Sequence, residues 1–447
     1  MTTLCRWPTT LTRVSAPQLS LRCGSPPSGG LKDAAPADWS GYFTSRPALK
    51  RQVRMATNFL GAARQMEVAS GVTKEEVDLP TTRPSPPVGA SWTDSMEGAI
   101  AVATHHDGMS GTERQQVAND YDQRISEGHF EAEAGVSLAL QRLAGVTAPV
   151  SHCNCQSSGA CLNISVCAAT TGVDAFTAIA WNPAGQPSNS TLRIPVTGAA
   201  FVVSDLASGA VLPSQVTALD ARTKSLPLLY VNKFGMSGEE FEAASRGRAN
   251  NATHVLAFRA PLPAAGYASF SVKAAHGDSA AAPAPPGKSA PSTVSNDFYE
   301  LALDHAAGMV TSIKNLRSGV STSFNLTWVR HAVSNPAIDA SVVLTTRALC
   351  DQGYYVSSEG HSTSGDGGQC TKLPSGNASC STVASDHYTF RPFQQRTFAP
   401  AATQPTLEVV DGPLVTEVRQ SFSSWATHVI RLTRGVPFVE VEWTVRL

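Results

Sequence analysis

The spacing of apolar residues in this chain changes once, at Gly145, and that change limits what the chain can fold into. Before Gly145, apolar residues return every three or four positions, the period of an amphipathic helix. After it, short β-branched and aromatic runs alternate with Pro, Gly and Asn turns, and no long helical period is visible. A chain of 447 residues with this pattern is expected to be a multidomain α+β protein, a three-helix bundle followed by antiparallel β-sandwich-type domains.

In the helical part, a first helix is expected from Pro47, with Ser45 as its cap, to about Ser70. Val53, Phe59, Leu60, Ala63 and Met66 form its buried stripe, and Gly71 stops it. After a Pro-rich loop at 81–87, a second helix spans about Thr93 to Thr104, with Met96, Ala99, Ile100 and Ala103 inward. Thr112-Glu113-Arg114-Gln115 has the form of a capping box. It opens a third helix that presents Val117, Tyr121, Ile125, Val136, Leu140 and Leu143 before Gly145 ends it.

Strands are expected at 175–181, 190–195, 200–203, 254–258 and 267–272. A second series begins at Asp297 and continues at 310–313, 341–346, 414–421, 427–432 and 438–445. Residues 1–37 read as a disordered or wrongly joined leader, 38–148 as the end of a preceding domain plus a central helical bundle domain, and 149–275 as a small β domain. Residues 276–296 read as an Ala/Pro/Ser linker, and 297–447 as a β-sandwich truncated at its C-terminus, with a Gly- and Ser-rich surface loop at 357–382.

Charge excludes some functions. A net charge of −1 with 15% charged residues leaves no basic footprint for nucleic acid. No apolar run approaches the length of a membrane-spanning helix. Cys153, Cys155, Cys161 and Cys167 crowd together, as do Cys350, Cys370 and Cys380, while Cys5 and Cys23 stand apart without an obvious partner. No histidine at finger spacing beyond His152 accompanies the C-x-C, so disulfides of an oxidising compartment are the better reading. N-x-S/T sequons at Asn163, Asn189, Asn251, Asn325 and Asn377 point the same way. Residues 1–37 make a poor signal peptide, because Thr, Arg, Pro and Ser interrupt any apolar core.

The candidate chemistry lies in His105-His106-Asp107, just before Gly108-Met109-Ser110-Gly111. Such a His pair can satisfy carbonyls at a helix end, or it can hold a metal or substrate beside a turn whose glycines admit close approach. Consecutive helical residues diverge by about 100°, so only one of the two imidazoles is expected to face a given cleft. Trp39 is either a sugar-stacking wall or the anchor of a domain interface. No paired carboxylates for glycoside hydrolysis can be recognised by spacing, and no H-E-x-x-H, G-x-S-x-G or P-loop is present.

Two ordered stretches carry a resemblance. Trp39-Ser40-Gly41-Tyr42-Phe43-Thr44-Ser45-Arg46-Pro47 resembles the segment that opens the helical domain of glycoside hydrolase family 38 α-mannosidases. His105-His106-Asp107-Gly108-Met109-Ser110-Gly111-Thr112, with Val117-Ala118-Asn119-Asp120-Tyr121, is similar to that family's HHD-x-x-[ST]-G-T signature. Weaker matches occur at 162–167, 180–183, 388–392, 413–418 and 436–445. The lysosomal branch fits best, over roughly residues 38–447.

The resemblance implies retaining, zinc-dependent hydrolysis of terminal α-D-mannose residues in N-glycans, in a lysosome, vacuole or secretory compartment. By the same resemblance His106 is the zinc ligand and His105 packs against it or supports it. Asp107 grips sugar hydroxyls, and Trp39 and Tyr388 face substrate. It further implies mannose-containing glycans as partners, with no nucleic acid and no membrane span, and leaves a homo-oligomer open. The family's catalytic α/β domain would precede Trp39, and residues 1–37 do not resemble it. No catalytic nucleophile is therefore identified, and the chain alone is expected to be inactive. The alternative is a non-catalytic carbohydrate-binding or scaffold remnant of the family.

Overall fold

The structure is a computed structural model. It describes residues 3–5, 42, 46–78, 91–152, 167, 169–224, 252–275, 291–324, 326–330, 342–346, 370–372, 378–380, 404–422 and 426–445. The described residues form an α+β protein of two compact units, one holding residues 3–5 and those from Arg46 to Ala275, the other holding Tyr42 and those from Pro291 on.

The first unit starts its helical layer with α1 (Pro47–Ser70), followed by α2 (Asp94–Ala103), the short α3 (His106–Ser110) and α4 (Gln115–Ala144). Leu49, Val53, Ala56, Phe59, Ala63 and Met66 recur on α1 at three- and four-residue steps and are buried. Gly71 and Gly145, at φ 63° each, end α1 and α4 in the left-handed conformation that costs glycine nothing. Capping differs from expectation. Arg46, not Ser45, is the cap of α1, and it too is left-handed, at φ 48° and ψ 55°. It is held there through its guanidinium rather than by a hydroxyl cap. Its Nη2 donates to the Glu113 carbonyl at 2.8 Å, and its Nε lies 3.2 Å from Glu113 Oε1.

Two glycines let α2 lie close on α4. A Cβ at Gly128 would fall 2.6 Å from Met96 Cα, and one at Gly135 would fall 2.2 Å from the Trp92 ring. They are seven residues apart on one face of α4, so the helices meet along a groove that only a missing side chain provides. Trp92 fills it, fully buried, and donates its indole N–H to the Val72 carbonyl at 3.3 Å.

Another stripe of α4, largely shielded from solvent, is polar. His129 stacks on Phe59, with ring centroids 4.0 Å apart, and its Nε2 lies 3.4 Å from Glu133 Oε1. One turn on, Ser137 Oγ lies 2.8 Å from His152 Nε2. Burial lowers His129 to about 3 and His152 to about 4, and raises Glu133 well above the usual carboxylate value. Burial thus keeps His129 neutral and works against ionisation of Glu133, so their contact gains little as an ion pair.

The β layer of this unit comprises β1 (Thr3–Cys5), β2 (Val150–His152), β3 (Ala175–Asn182), β4 (Ser188–Val196), β5 (Phe201–Asp205), β6 (Val211–Leu212), β7 (Ser214–Ala218), the short α5 (Ala221–Lys224), β8 (His254–Leu262) and β9 (Gly266–Ala274). One sheet has the order β2-β1-β3-β9-β5-β6 and the other β4-β8-β7. Thr3–Cys5, inside the stretch expected to be a leader without structure, pairs in parallel with both β2 and β3. The two sheets close over Phe176, Leu192, Ile194, Leu256, Phe258, Phe270 and Val272. β3 is buried on both faces. Phe176, Ala178 and Ala180 enter this sandwich core, while Ile179 and Trp181 join the core of the helices. Polar bonds tie the layers as well. Tyr267 donates its hydroxyl to the Leu143 carbonyl at 2.8 Å, and Gln65 Nε2 donates to the Pro183 carbonyl at 3.1 Å.

The second unit is all β. Its strands are β10 (Thr293–Ser295), β11 (Tyr299–Asp304), β12 (Met309–Asn315), β13 (Ser321–Ser323), β14 (Leu326–Arg330), β15 (Val342–Thr346), β16 (Cys370–Lys372), β17 (Ala378–Cys380), β18 (Thr406–Val410), β19 (Val415–Ser421), β20 (Ala426–Thr433) and β21 (Glu440–Val445). Sheets β10-β11-β12-β13 and β18-β19-β20-β21 share a core of Val294, Leu301, Val310, Val418, Ile430 and Leu432. β10 forms inside the expected linker because Val294 is buried in that core. The expected loop 357–382 contains the β16–β17 hairpin, in which Cys370 stands opposite Cys380.

Two outcomes test this packing. Gly135→Ala drives a methyl into Trp92 and is expected to destabilise by about 1–3 kcal/mol. Gly98→Ala, in α2 with nothing within 4 Å of the new methyl, is expected to stabilise by roughly 0.5–1 kcal/mol. Urea unfolding followed by circular dichroism measures both. The buried stripe makes stability depend on pH. Between the unfolded values of 4.5 for Glu and 6.5 for His, the unfolded chain binds two protons on His129 and His152 that the native chain refuses. Glu133 works the other way, since its raised pKa favours a proton in the native chain above the value at which the unfolded chain loses it. The two histidines make stability fall as pH drops through that window, and Glu133 offsets part of the fall. Glu133→Gln removes the offset and should steepen the slope in urea titrations from pH 6.5 to 4.5.

Candidate functional site

His105, His106 and Asp107 occupy the junction between α2 and α3. The chain leaves α2 at Thr104, whose N–H still reaches the Ile100 carbonyl at 2.9 Å. His105 then turns out of helical geometry, at φ −48° and ψ 146°, and caps α3 by accepting at its carbonyl from Met109 N–H at 2.9 Å. His106 is the first residue of α3. The divergence expected of consecutive helical side chains does not apply, because His105 lies outside the helix. Both imidazoles instead share one side of the turn, with ring centroids 4.1 Å apart and planes at 44°.

Asp107 is the centre of the group. Its Oδ2 lies 3.2 Å from His105 Nε2 and 3.6 Å from His106 Nε2. Its Oδ1 accepts from the Thr112 hydroxyl at 2.8 Å. Thr112 is thus not the cap of the next helix, which begins later at Gln115 after Arg114. Its N–H bonds the Asp107 carbonyl at 3.0 Å and its hydroxyl lies 2.7 Å from Ser110 Oγ, so the residue closes the turn back on the carboxylate. Partial burial raises the Asp107 pKa, but the Thr112 and His105 hydrogen bonds and the charges of both imidazoles outweigh it. The carboxyl is held below its ordinary value.

The surroundings hold this turn rigidly. A Cβ at Gly108 would fall 2.4 Å from the Ala103 carbonyl oxygen and 3.0 Å from Tyr121, so α3 can lie on α2 and α4 only with glycine there. Gly111 takes φ 75° to end α3. Lys50 Nζ donates to the Ser110 carbonyl at 2.9 Å, and Arg46 binds Glu113 by carbonyl and carboxylate. Burial, then the Glu113 and Asp107 charges, raise the pKa of the Tyr121 hydroxyl.

The three donors suit a metal by type and by spacing. Imidazole nitrogen and carboxylate oxygen are common zinc ligands, each bound at about 2.0–2.2 Å, which puts two ligands of a tetrahedral ion roughly 3.4 Å apart. The 3.2 and 3.6 Å separations bracket that value, and one atom from each of the three residues lies within 4.8 Å of the others. Among the described residues this is the one such group of three or more His, Cys, Asp or Glu. The His106 side chain is 84% exposed against 45% for His105. Of the residues expected to face substrate, Asp107 is here, while Trp39 and Tyr388 lie outside the described residues. Sequence reasoning missed His105 as a converging donor, and Thr112, Lys50, Arg46 and Glu113 as the parts that hold the turn. The hydroxyl five residues after Asp107 was the one signal available.

Comparison with known proteins gives two family matches. Residues 37–143 match the Alpha mannosidase middle domain, and residues 362–447 match the Glycosyl hydrolases family 38 C-terminal domain. Lysosomal alpha-mannosidase of Homo sapiens is 30% identical over 412 residues, and that of Felis catus 29% over 412. Each alignment covers 91% of this chain and 32% of the relative. A probable alpha-mannosidase of Arabidopsis thaliana is 29% identical over 433 residues, covering 92% of this chain and 36% of that protein. The chain thus spans about a third of the length of the curated relatives it matches.

The Thr112 contact has a measurable consequence. Thr112→Val removes the hydroxyl donor from Asp107 Oδ1, so the Asp107 pKa is expected to rise toward its ordinary value. Carboxyl-carbon NMR titration reads that shift. The stability that Asp107 contributes is present above its unfolded pKa and lost as pH falls through the lower folded value, and in the variant this contribution should be smaller and its loss complete at higher pH.

Proposed function

We propose, from the premise that the chain carries the middle and C-terminal domains of glycosyl hydrolase family 38, that it serves retaining, zinc-dependent hydrolysis of terminal α-D-mannose residues in N-glycans. Its own contribution is one side of the metal and sugar site. The observation that carries this reading is the convergence of His105, His106 and Asp107 on a shared turn.

His106, the most open of the three, is the metal ligand, and His105 completes the donor pair beside it. Asp107 stays ionised and is therefore an acceptor only. With Oδ1 held by Thr112, it offers Oδ2 to a sugar hydroxyl or to the ion. Trp39 and Tyr388 are assigned to the sugar by resemblance. Zinc, when bound, acts as a Lewis acid and orients sugar hydroxyls. No residue of the chain is assigned as nucleophile, so the chain alone is expected to bind zinc weakly and not to turn over.

The compartment proposed is the lysosome, a vacuole or the secretory pathway. The names of the mammalian relatives, the disulfide at Cys167 and the sequons support it. Among the described residues no helix is long and apolar enough to cross a membrane.

Isothermal titration of the purified chain with zinc, alongside an aryl α-mannoside assay, tests the reading. His106→Ala is expected to weaken zinc binding by about tenfold or more, with no mannoside turnover by either protein. Unchanged zinc affinity in the variant removes His106 as ligand. Robust turnover by the unaltered chain overturns the expectation that it is catalytically incomplete.

A further inference from the structure

Of the five sequons, Asn189-Ser190-Thr191 lies wholly within the described residues, and its asparagine stands on a strand whose outer edge needs protection. β4 is nine residues long and, among the described residues, has β8 as its single neighbour. An edge of that length presents unpaired N–H and C=O groups to any other extended chain. Leu192, Ile194 and Val196 point into the sandwich core, and the pleat sends Asn189, Thr191 and Arg193 to the outer face. Asn189 is exposed. Directly across from it is Pro261, also exposed, which has no N–H to give the ladder. At the far end of β4, Pro195 removes one donor from the strand.

We propose that Asn189 carries an N-linked glycan that shields the edge of β4, which has no second neighbour among the described residues, from pairing with another strand. The donor is a polyprenyl-diphosphate-linked oligosaccharide. The Asn189 side-chain nitrogen forms a bond to the anomeric carbon of the first sugar, the bond from that carbon to the phosphate oxygen breaks, and the lipid diphosphate leaves with the electron pair. The amide gives up one proton, and no oxidant or reductant is needed. The Thr191 hydroxyl is the part of the sequon that the transferring enzyme requires. In the folded chain that oxygen accepts from Arg259 Nη1 at 3.2 Å, so transfer comes before β4 closes on β8. The attached glycan is bulky and hydrated. On the outer face it denies a second strand the approach that ladder pairing demands.

The inference rests on the secretory reading above. To separate the two, the full chain is sent through the secretory route of a eukaryotic host behind a cleavable leader. Native localisation, read by cell fractionation, is a separate measurement. Glycopeptide mass spectrometry is expected to find sugar on Asn189, and its absence there while other sequons are occupied overturns the proposal. Light scattering then compares two variants that both lack the sugar. Asn189→Gln should aggregate several times faster than the parent. Asn189→Lys, which places an edge-blocking charge at the same point, should restore the parent's behaviour. A Gln variant as monodisperse as the parent, or a Lys variant that aggregates as fast as Gln, overturns the shielding role.

Discussion

The helical layer and the candidate site both depend on the buried pair between Arg46 and Glu113. Arg46 sits at φ 48°, a left-handed conformation that costs a non-glycine residue roughly 1–2 kcal/mol. The cost is sustained because the same guanidinium reaches both the carboxylate and the carbonyl of Glu113, 67 residues away. A buried ion pair adds little net stability, but losing one partner leaves a charge stranded, at a cost of about 3–5 kcal/mol. Its effect here is therefore specificity. It fixes where the start of α1 meets the end of the 105–113 turn, and Lys50 adds a second tether at Ser110.

With that end fixed, glycines and one strand set the remaining geometry. Gly128 and Gly135 admit α2 and Trp92 against α4, and Gly108 admits α3 against Ala103 and Tyr121. Beyond the helices, β3 is shared, one face in the sandwich core and the other against α1 and α4. Helices and sandwich of the first unit are thus a single packing problem. The polar stripe of His129, Glu133 and Ser137 runs through it, where burial works against charge on both the imidazole and the carboxyl.

The site follows from a local departure from helical geometry. His105 can share a side with His106 because it is extended where a continuous helix would have carried it away. Thr112 gives up the capping role its sequence context suggests and fixes Asp107 instead. Three adjacent residues become a converging donor set through one turn, at the cost of leaving α4 without a side-chain cap.

Apolar periodicity by itself determined the existence, type and approximate limits of the main helices, most of the strands and the α+β order, because burial of one face imposes a period that is visible residue by residue. Glycine at 71 and 145 marked helix ends for an equally local reason. The HHD stretch, too, was legible as candidate chemistry, through its residue types and flanks. Only the tertiary structure decided how those residues meet. Spacing could not reveal that Arg46 would reach Glu113, that β1 would enter a sheet between β2 and β3, or that Thr112 would turn back to Asp107. Such contacts join positions that are far apart in the chain, or depend on a single non-helical residue, and periodicity carries no information about either.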